Sequence, residues 1–196
     1  YAYCGNNPVM YYDPSGYQEQ NILGCKESVF NNQDVTNVES ISKNDNPAIN
    51  DMYDRIAKFR KKVGLQPYSI NSGDIVAMVE VNGKYYFGVN STISEQSKIA
   101  TRPLRQKWLE KIQWSSYKQR TPKHLGHAQS LTHAEVHSLI RAFERQGSIP
   151  EKVTMYVDRR TCNICRGELP ALLNRIGIEE LIIYSGGSDI PTVIKL

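Results

Sequence analysis

Two short motifs combine residue types that can hold a metal ion and transfer protons. A His-Ala-Glu sequence occupies residues 133–135, and a Cys-Asn-Ile-Cys sequence occupies residues 162–165. An imidazole and two thiolates are ligands that Zn²⁺ takes, and three protein ligands leave one of its four positions open. An open zinc position beside a carboxylate can activate water at neutral pH, so the pattern predicts a catalytic zinc site with Glu135 as its proton-transfer group. The predicted ligands are His133, Cys162 and Cys165.

Other interpretations of these motifs remain open. A C-x-x-C pair also occurs in redox sites and in structural zinc sites, and a structural site would need a fourth ligand. His137 is a candidate because it lies four residues after His133 on one helical face. Alternatively, His137 lies on the exposed side of that helix. A redox role lacks the βαβ unit that is expected before such a pair.

The hydrophobic pattern predicts the elements that would position the motifs. Apolar residues at helical spacing, with glycine stops, predict helices, and the basic stretch at 103–118 is predicted to form one or two more. Two β-prone runs around Asn82-Gly83 predict a hairpin with a type I′ turn. The predicted helices span 51–63, 133–146 and 162–176, and the predicted strands span 74–81, 84–89, 153–157, 181–184 and 192–196.

This order predicts a three-layer α/β fold, in which a mixed five-stranded sheet is flanked by helices. Residues 185–191 are too few for a crossover helix, so the last two strands should be antiparallel. Each metal-binding motif opens a predicted helix. At a helix start the dipole and the free amide groups favour thiolates, which suits the two cysteines.

The first seventeen residues differ from the rest, because they are rich in tyrosine and in turn residues. They resemble the motif that closes the core repeat region of Rhs-type polymorphic toxins, where the shell is cut from its C-terminal toxin. The resemblance implies release after Tyr17, with residues 1–17 as the end of the Rhs core. Residues 18–50 are polar and poorly periodic, which predicts a linker. The matching residues of the cleavage motif are Pro8, Asp13, Pro14, Gly16 and Tyr17.

From residue 51 to residue 196 the chain is similar to the cytidine deaminase superfamily, and within it to bacterial deaminase toxins, several of which act on DNA cytosines. The resemblance implies a cytidine-deaminase-like fold, Zn²⁺ as cofactor and hydrolytic deamination of cytosine to uracil. It also implies that Asn90 holds the sugar of the target nucleoside and that the backbone amide of Ala134 contacts the base. Thr161, which we also predict to contact substrate, stands where the family often has proline.

The uneven charge of the chain points to a nucleic-acid substrate. The whole chain carries +4, whereas residues 101–124 carry seven Lys or Arg and one acidic residue, Glu110. Cations can follow a phosphate backbone, and Trp108 and Trp114 could stack on unpaired bases. Alternatively, the tryptophans are core residues of a helix. We expect DNA, with the single-stranded form favoured because the target base must leave its stack.

The resemblance further implies a mutagenic antibacterial toxin, secreted as an effector and delivered into the cytoplasm of the target cell. Its implied partners are a cognate immunity protein and, before release, the Rhs shell. We expect no membrane partner, since no apolar run approaches the length of a membrane span. The alternatives are an RNA or free-nucleoside deaminase and a non-catalytic, zinc-stabilised nucleic-acid-binding domain.

Overall fold

The structure is a computed structural model that describes residues 45–113 and 122–196. The predicted cleavage motif, nearly all of the predicted linker and Trp114 lie outside these residues. The elements, in chain order, are α1 (Pro47–Lys62), β1 (Val76–Val81), β2 (Lys84–Val89), a 3-10 turn (Ser91–Ile93), α2 (Glu95–Gln113), α3 (Pro122–Ser130), α4 (Ala134–Gln146), β3 (Lys152–Val157), α5 (Asn163–Ile176), β4 (Glu180–Ser185) and β5 (Thr192–Lys195). In this part of the chain, no helix has both the length and the apolar character that crossing a bilayer requires.

The five strands form one mixed sheet in the order β2-β1-β3-β4-β5. β3 and β4 are parallel and are connected by α5, and the other neighbouring pairs are antiparallel. The predicted fold class and the antiparallel pairing of the last two strands are therefore confirmed. Val76 pairs with Val89, and Ala77 pairs with Val157, so the start of β1 and the ends of β2 and β3 lie at the same edge of the sheet.

The predicted hairpin forms for the reason that the sequence suggests. Asn82 and Gly83 have φ angles of 52° and 72°, and a type I′ turn requires positive φ at both central residues. The turn lies at the far end of the hairpin from the edge where β1 begins and β2 ends. It fixes the register of the two strands and so fixes where β2 ends.

Helices cover both faces of the sheet, which gives the three predicted layers. One core contains α4, α5 and part of α2, with Leu139, Leu172 and Trp108 among its fully buried residues. The smaller core lies under α1 and includes Ile56 and Met78. Burial of these apolar side chains on both sides of the sheet is the main source of stability for such a fold.

Two helices begin earlier than predicted. α1 starts at Pro47 because Asn46 caps it, with its side-chain oxygen accepting from the Ala48 amide at 3.0 Å. Asn at the cap and Pro at the first helical position are favourable start signals, although Asn-Pro in a polar context looks like linker sequence. α2 starts at Glu95 and has Pro103 in its interior, whereas the prediction took residue 103 as the earliest helical position.

α4 packs directly on β2 because Gly88 has no side chain. A Cβ atom at Gly88 would lie 2.5 Å from the amide nitrogen of Ser138 and closer still to the carbonyl oxygen of Ala134. Both neighbours are backbone atoms of α4, so neither can rotate away. Gly88 therefore sets the distance between the end of β2 and the start of α4, where the first motif lies.

Candidate active site

The predicted metal ligands come together at two helix starts. His133 is the N-cap residue of α4, Cys162 is the N-cap residue of α5, and Cys165 lies in the first turn of α5. Both N-cap residues have extended backbone angles, which direct their side chains across the helix end. His133 Nδ1 lies 3.1 Å from the Cys165 sulfur and 3.4 Å from the Cys162 sulfur. All three candidate ligand atoms lie within 4.8 Å of one another.

These residues fit a tetrahedral zinc ion. Zn–N and Zn–S bonds of roughly 2.1 and 2.3 Å imply N–S separations of about 3.6 Å. The observed separations of 3.1 and 3.4 Å need only a small opening to reach that value. One imidazole and two sulfurs are also a donor set that suits zinc, and they leave a fourth position for another molecule.

The two thiols are already unequal in the protein. A hydrogen bond from Cys165 lowers the pKa of the Cys162 thiol to about 4, although burial opposes the shift. The same bond, together with burial, raises the pKa of Cys165. The amide nitrogen of Cys165 also points at the Cys162 sulfur at 3.4 Å, as expected for a thiolate at a helix start. The pair is thus partly prepared for metal binding, which requires thiolates.

Glu135 lies beside this cluster on the first turn of α4. Its side chain is only 4% exposed, and burial raises its pKa, while its own backbone amide, His133 and a hydrogen bond with Cys165 lower it. A carboxyl group whose pKa moves toward neutrality can both accept and return a proton during one reaction. The predicted proton-transfer residue, Glu135, therefore lies beside the candidate metal ligands, where it can exchange protons with a molecule in the open zinc position.

A pocket of about 220 Å³ opens onto the cluster. One water molecule occupies roughly 30 Å³ of liquid, so the pocket has room for a small heteroaromatic ring. Ala134 and Glu135 form part of its wall together with Asn90. As the first residue of α4, Ala134 has an amide group without a partner inside the helix, so it can donate to a ligand.

Asn90 lines the pocket, but its side chain is engaged by the protein. Its Oδ1 accepts from the Ile75 amide at 2.7 Å, and its Nδ2 donates to the Gly73 carbonyl and the Thr92 hydroxyl, both at 2.9 Å. It therefore joins the loop before β1 to the end of β2, and both amide hydrogens are used. The residue after Asn90 donates its amide to Thr132 at 2.8 Å, which brings this wall to the start of α4.

The prediction that Trp108 contacts substrate is wrong. Trp108 is 0% exposed, packs edge-to-face on Phe143 at 5.7 Å and donates its indole N–H to Glu144 at 3.0 Å. The apolar side of α2 lies against α4, so this ring belongs to the core. Trp114 lies outside the described residues, and its predicted role stays a prediction.

Thr161, which the sequence analysis predicts to contact substrate, does not face the pocket. Thr161 is 3% exposed, and its hydroxyl has no hydrogen-bond partner among the described residues. It lies next to Cys162 in the chain but does not line the pocket.

His137 lies inside the protein rather than on an exposed face, and its Nε2 contacts the Leu131 carbonyl at 2.9 Å. Burial lowers the pKa of His137 to about 3, and its ring is not part of the candidate ligand cluster.

Several cations of the predicted basic stretch interact with the protein itself. Arg105 donates to the Lys98 carbonyl at 2.7 Å, Lys107 pairs with Glu144 at 2.7 Å, and Lys111 lies 4.4 Å from the centre of the Trp108 ring. These contacts direct their charge toward helices α2 and α4. They leave the exposed Arg102 as a cation of α2 that points to solvent.

Among the pocket residues that the sequence analysis missed are two arginines. Arg159 and Arg160 line the pocket and are exposed, and they lie between the end of β3 and the second motif. The preceding residue, Asp158, is fully buried and pairs with Arg60 of α1 at 2.7 Å. Their position directly before the C-x-x-C sequence was the available signal, since residues beside a metal motif at a strand end tend to face the site.

Comparison with known proteins identifies one family. A family model described as MafB19-like deaminase matches residues 53–194, which include both motifs, strands β1 to β4 and most of β5. No curated protein and no solved structure matched the chain.

Proposed function

Since the chain belongs to the MafB19-like deaminase family, we propose that it hydrolyses the exocyclic amino group of cytosine in DNA, with single-stranded DNA favoured. The coarser activity, hydrolysis of a C–N bond by a deaminase, follows from the family. The substrate base and the polymer are our proposal. The observation that carries it is the convergence of a His-Cys-Cys cluster and the buried Glu135 on one pocket of nucleobase size.

His133, Cys162 and Cys165 would hold Zn²⁺. When bound there, the ion would lower the pKa of a water molecule in its fourth position and so supply the nucleophile that hydrolytic deamination needs. Glu135 would carry both protons of the water to the base, one to a ring nitrogen and one to the amino group. The amino group would then leave as ammonia and the ring would keep the oxygen, so that cytosine and water give uracil and ammonia.

The rest of the pocket orients the base. Ala134 offers its free backbone amide to an acceptor on the ring, and the buried start of α4 keeps bulk water from Glu135. Asn90 holds the opposite wall at a fixed distance through its bonds to Gly73 and Ile75. A sugar hydroxyl can still reach the second lone pair of its Oδ1, so the sugar contact implied by the resemblance stays part of the proposal.

The experiment is a deamination assay of zinc-loaded protein beside a Glu135→Ala variant with the same zinc content. Single-stranded DNA, duplex DNA, RNA and free deoxycytidine are offered in parallel, and uracil is measured by mass spectrometry. We expect uracil in single-stranded DNA and none with the variant. If product formed only from RNA or only from deoxycytidine, that molecule would replace DNA as the proposed substrate. If no product formed from any of them, the domain would be a structural zinc domain rather than an enzyme.

We also propose that this domain is the toxic part of a secreted effector, which acts in the cytoplasm of the target cell and meets an immunity protein there. The support is the Rhs-like motif ending at Tyr17 and the bacterial toxins that the domain resembles. Mass spectrometry of the expressed chain tests release after Tyr17. An intact chain in cells that process other Rhs proteins would contradict it.

A further inference from the structure

We propose that Arg159 and Arg160 form a phosphate-binding pair at the solvent-exposed rim of the pocket, and that this pair selects a target base that carries phosphate over a free nucleoside. The inference rests on the proposed deaminase function, because it concerns the same pocket. It adds a contact with nucleic acid, in the segment between β3 and α5, to the contact that the sequence suggests for the basic stretch 101–124.

The first observation is the charge of the rim. Both arginines line the pocket and are exposed. Neither has a hydrogen bond or an ion pair with another described residue, in contrast to Arg60 and Arg105, which are bonded within the protein. A neutral nucleobase gives no reason for two unpaired guanidinium groups beside it. A phosphate does, because guanidinium groups bind its oxygens with paired, charge-assisted hydrogen bonds.

The second observation is that the backbone of the pair is held from both ends. Before it, the fully buried Asp158 accepts from the Val76 amide at 3.1 Å and from Arg60 at 2.7 Å. After it, the buried Thr161 leads directly into the metal-binding residue Cys162. The two cations therefore have a fixed origin relative to the metal cluster, while their side chains remain free to meet a ligand.

The third observation is the direction of the pocket. A base that enters it must point its amino group at the cluster of His133, Cys162 and the buried Cys165, so its sugar and phosphates remain toward solvent. The exposed rim is where those phosphates lie. The occupant we infer is thus a nucleotide phosphate, either of a free nucleotide or of a polynucleotide, and the test below separates the two.

The test compares an Arg159→Gln/Arg160→Gln double variant with a Lys84→Gln/Arg175→Gln control. The control removes the same charge from exposed positions at the hairpin tip and at the C-terminal end of α5, both far from the pocket. We measure kcat/KM for deoxycytidine, deoxycytidine 5′-monophosphate and a single-stranded oligodeoxynucleotide. We also measure binding of the oligonucleotide to zinc-loaded protein carrying Glu135→Ala, by fluorescence anisotropy from low to moderate salt.

We expect the double variant to lose at least about tenfold more kcat/KM on phosphorylated substrates than on deoxycytidine. We expect the slope of log affinity against log salt to become shallower by about 0.7 for each phosphate that the variant no longer binds. The control should match the wild type. A loss on the oligonucleotide alone would place the phosphate in the polymer, and a loss on the mononucleotide as well would place it on the target nucleotide.

Two results would overturn the inference: losses on the two phosphorylated substrates that are no larger than the loss on deoxycytidine, or kinetics, oligonucleotide affinity and a salt slope that all match the control. The failure of the proposed function looks different. Wild-type protein that deaminates nothing, but whose oligonucleotide binding still depends on the two arginines, would refute the reaction and retain the pair.

Discussion

Gly88→Ala is the substitution that most directly tests how the site is positioned. Gly88 lies on β2 and does not line the pocket. Its added Cβ would approach the Ser138 amide nitrogen to 2.5 Å, whereas real Cβ contacts are rarely closer than 3.4 Å. α4 and β2 must therefore separate by roughly 1 Å, because the neighbouring atoms belong to the helix backbone.

A shift of that size at the start of α4 affects two measurable quantities. Overpacking of this kind costs typically about 1–3 kcal/mol of unfolding free energy. It also moves His133 relative to the two cysteines, and metal–ligand distances tolerate only about 0.2 Å. We therefore expect Gly88→Ala to lose roughly 2–3 kcal/mol of stability and at least about tenfold in zinc affinity.

The assay is urea unfolding together with zinc competition against a chromophoric chelator. Gly167→Ala is the matched control, because a Cβ at this position of α5 meets nothing within 4 Å. It should be neutral or should stabilise the helix by up to about 1 kcal/mol. Unchanged stability of Gly88→Ala would refute the close-packing argument. Lost stability with normal zinc affinity would refute the link between β2 and the ligands.

Further predictions concern the buried charges and the tryptophan. Arg60→Met should cost about 3–5 kcal/mol of unfolding free energy, measured with urea, because it leaves Asp158 buried without its partner. Arg55→Met removes an exposed ion pair and should cost less than about 1 kcal/mol. Equal losses of stability in the two variants would contradict this prediction. Burial raises the pKa of Asp158 to about 7, above its unfolded value, so its contribution to stability is lost as the pH rises through 7. Relative to Asp158→Asn, the unfolding free energy of metal-free wild-type protein should therefore lose about 1.4 kcal/mol between pH 6 and pH 8. Trp108→Ala should cost about 3–5 kcal/mol, whereas Trp108→Phe should keep oligonucleotide affinity in the anisotropy assay; a large loss of affinity would return Trp108 to the substrate site.

Local signals in the sequence were sufficient for several features. Asn82-Gly83 specifies its turn through backbone conformation alone, and the two metal motifs carry their own helix starts. The short connection before β5 restricts the pairing of the last strands. These features depend on residues close together in the chain, so a single sequence can predict them.

Features that depend on distant residues could not be predicted. In the sequence, Trp108 lies among both apolar residues and cations, so the pattern fits a core residue and a basic surface equally well. Its contact with the distant Phe143 shows that it is a core residue. Arg60 and Asp158 are 98 positions apart, and the sequence around either residue does not predict that they form an ion pair. The same holds for Arg159 and Asn90. Only the fold shows that Arg159 has no hydrogen-bond or ion-pair partner among the described residues and that Asn90 is hydrogen-bonded to the loop before β1.

The position of α1 has a consequence for where the smallest folding unit begins. The family match starts at residue 53, inside α1, and a chain shortened to that residue would retain every candidate ligand. It would lose the Asn46 cap, worth about 1 kcal/mol, and the buried Ile49. The remaining helix would be ten residues long and would have to hold Arg60 against Asp158 with fewer contacts. A fragment cut at the edge of family similarity would thus fray from its first helix toward the pocket, and a start before residue 46 would avoid this.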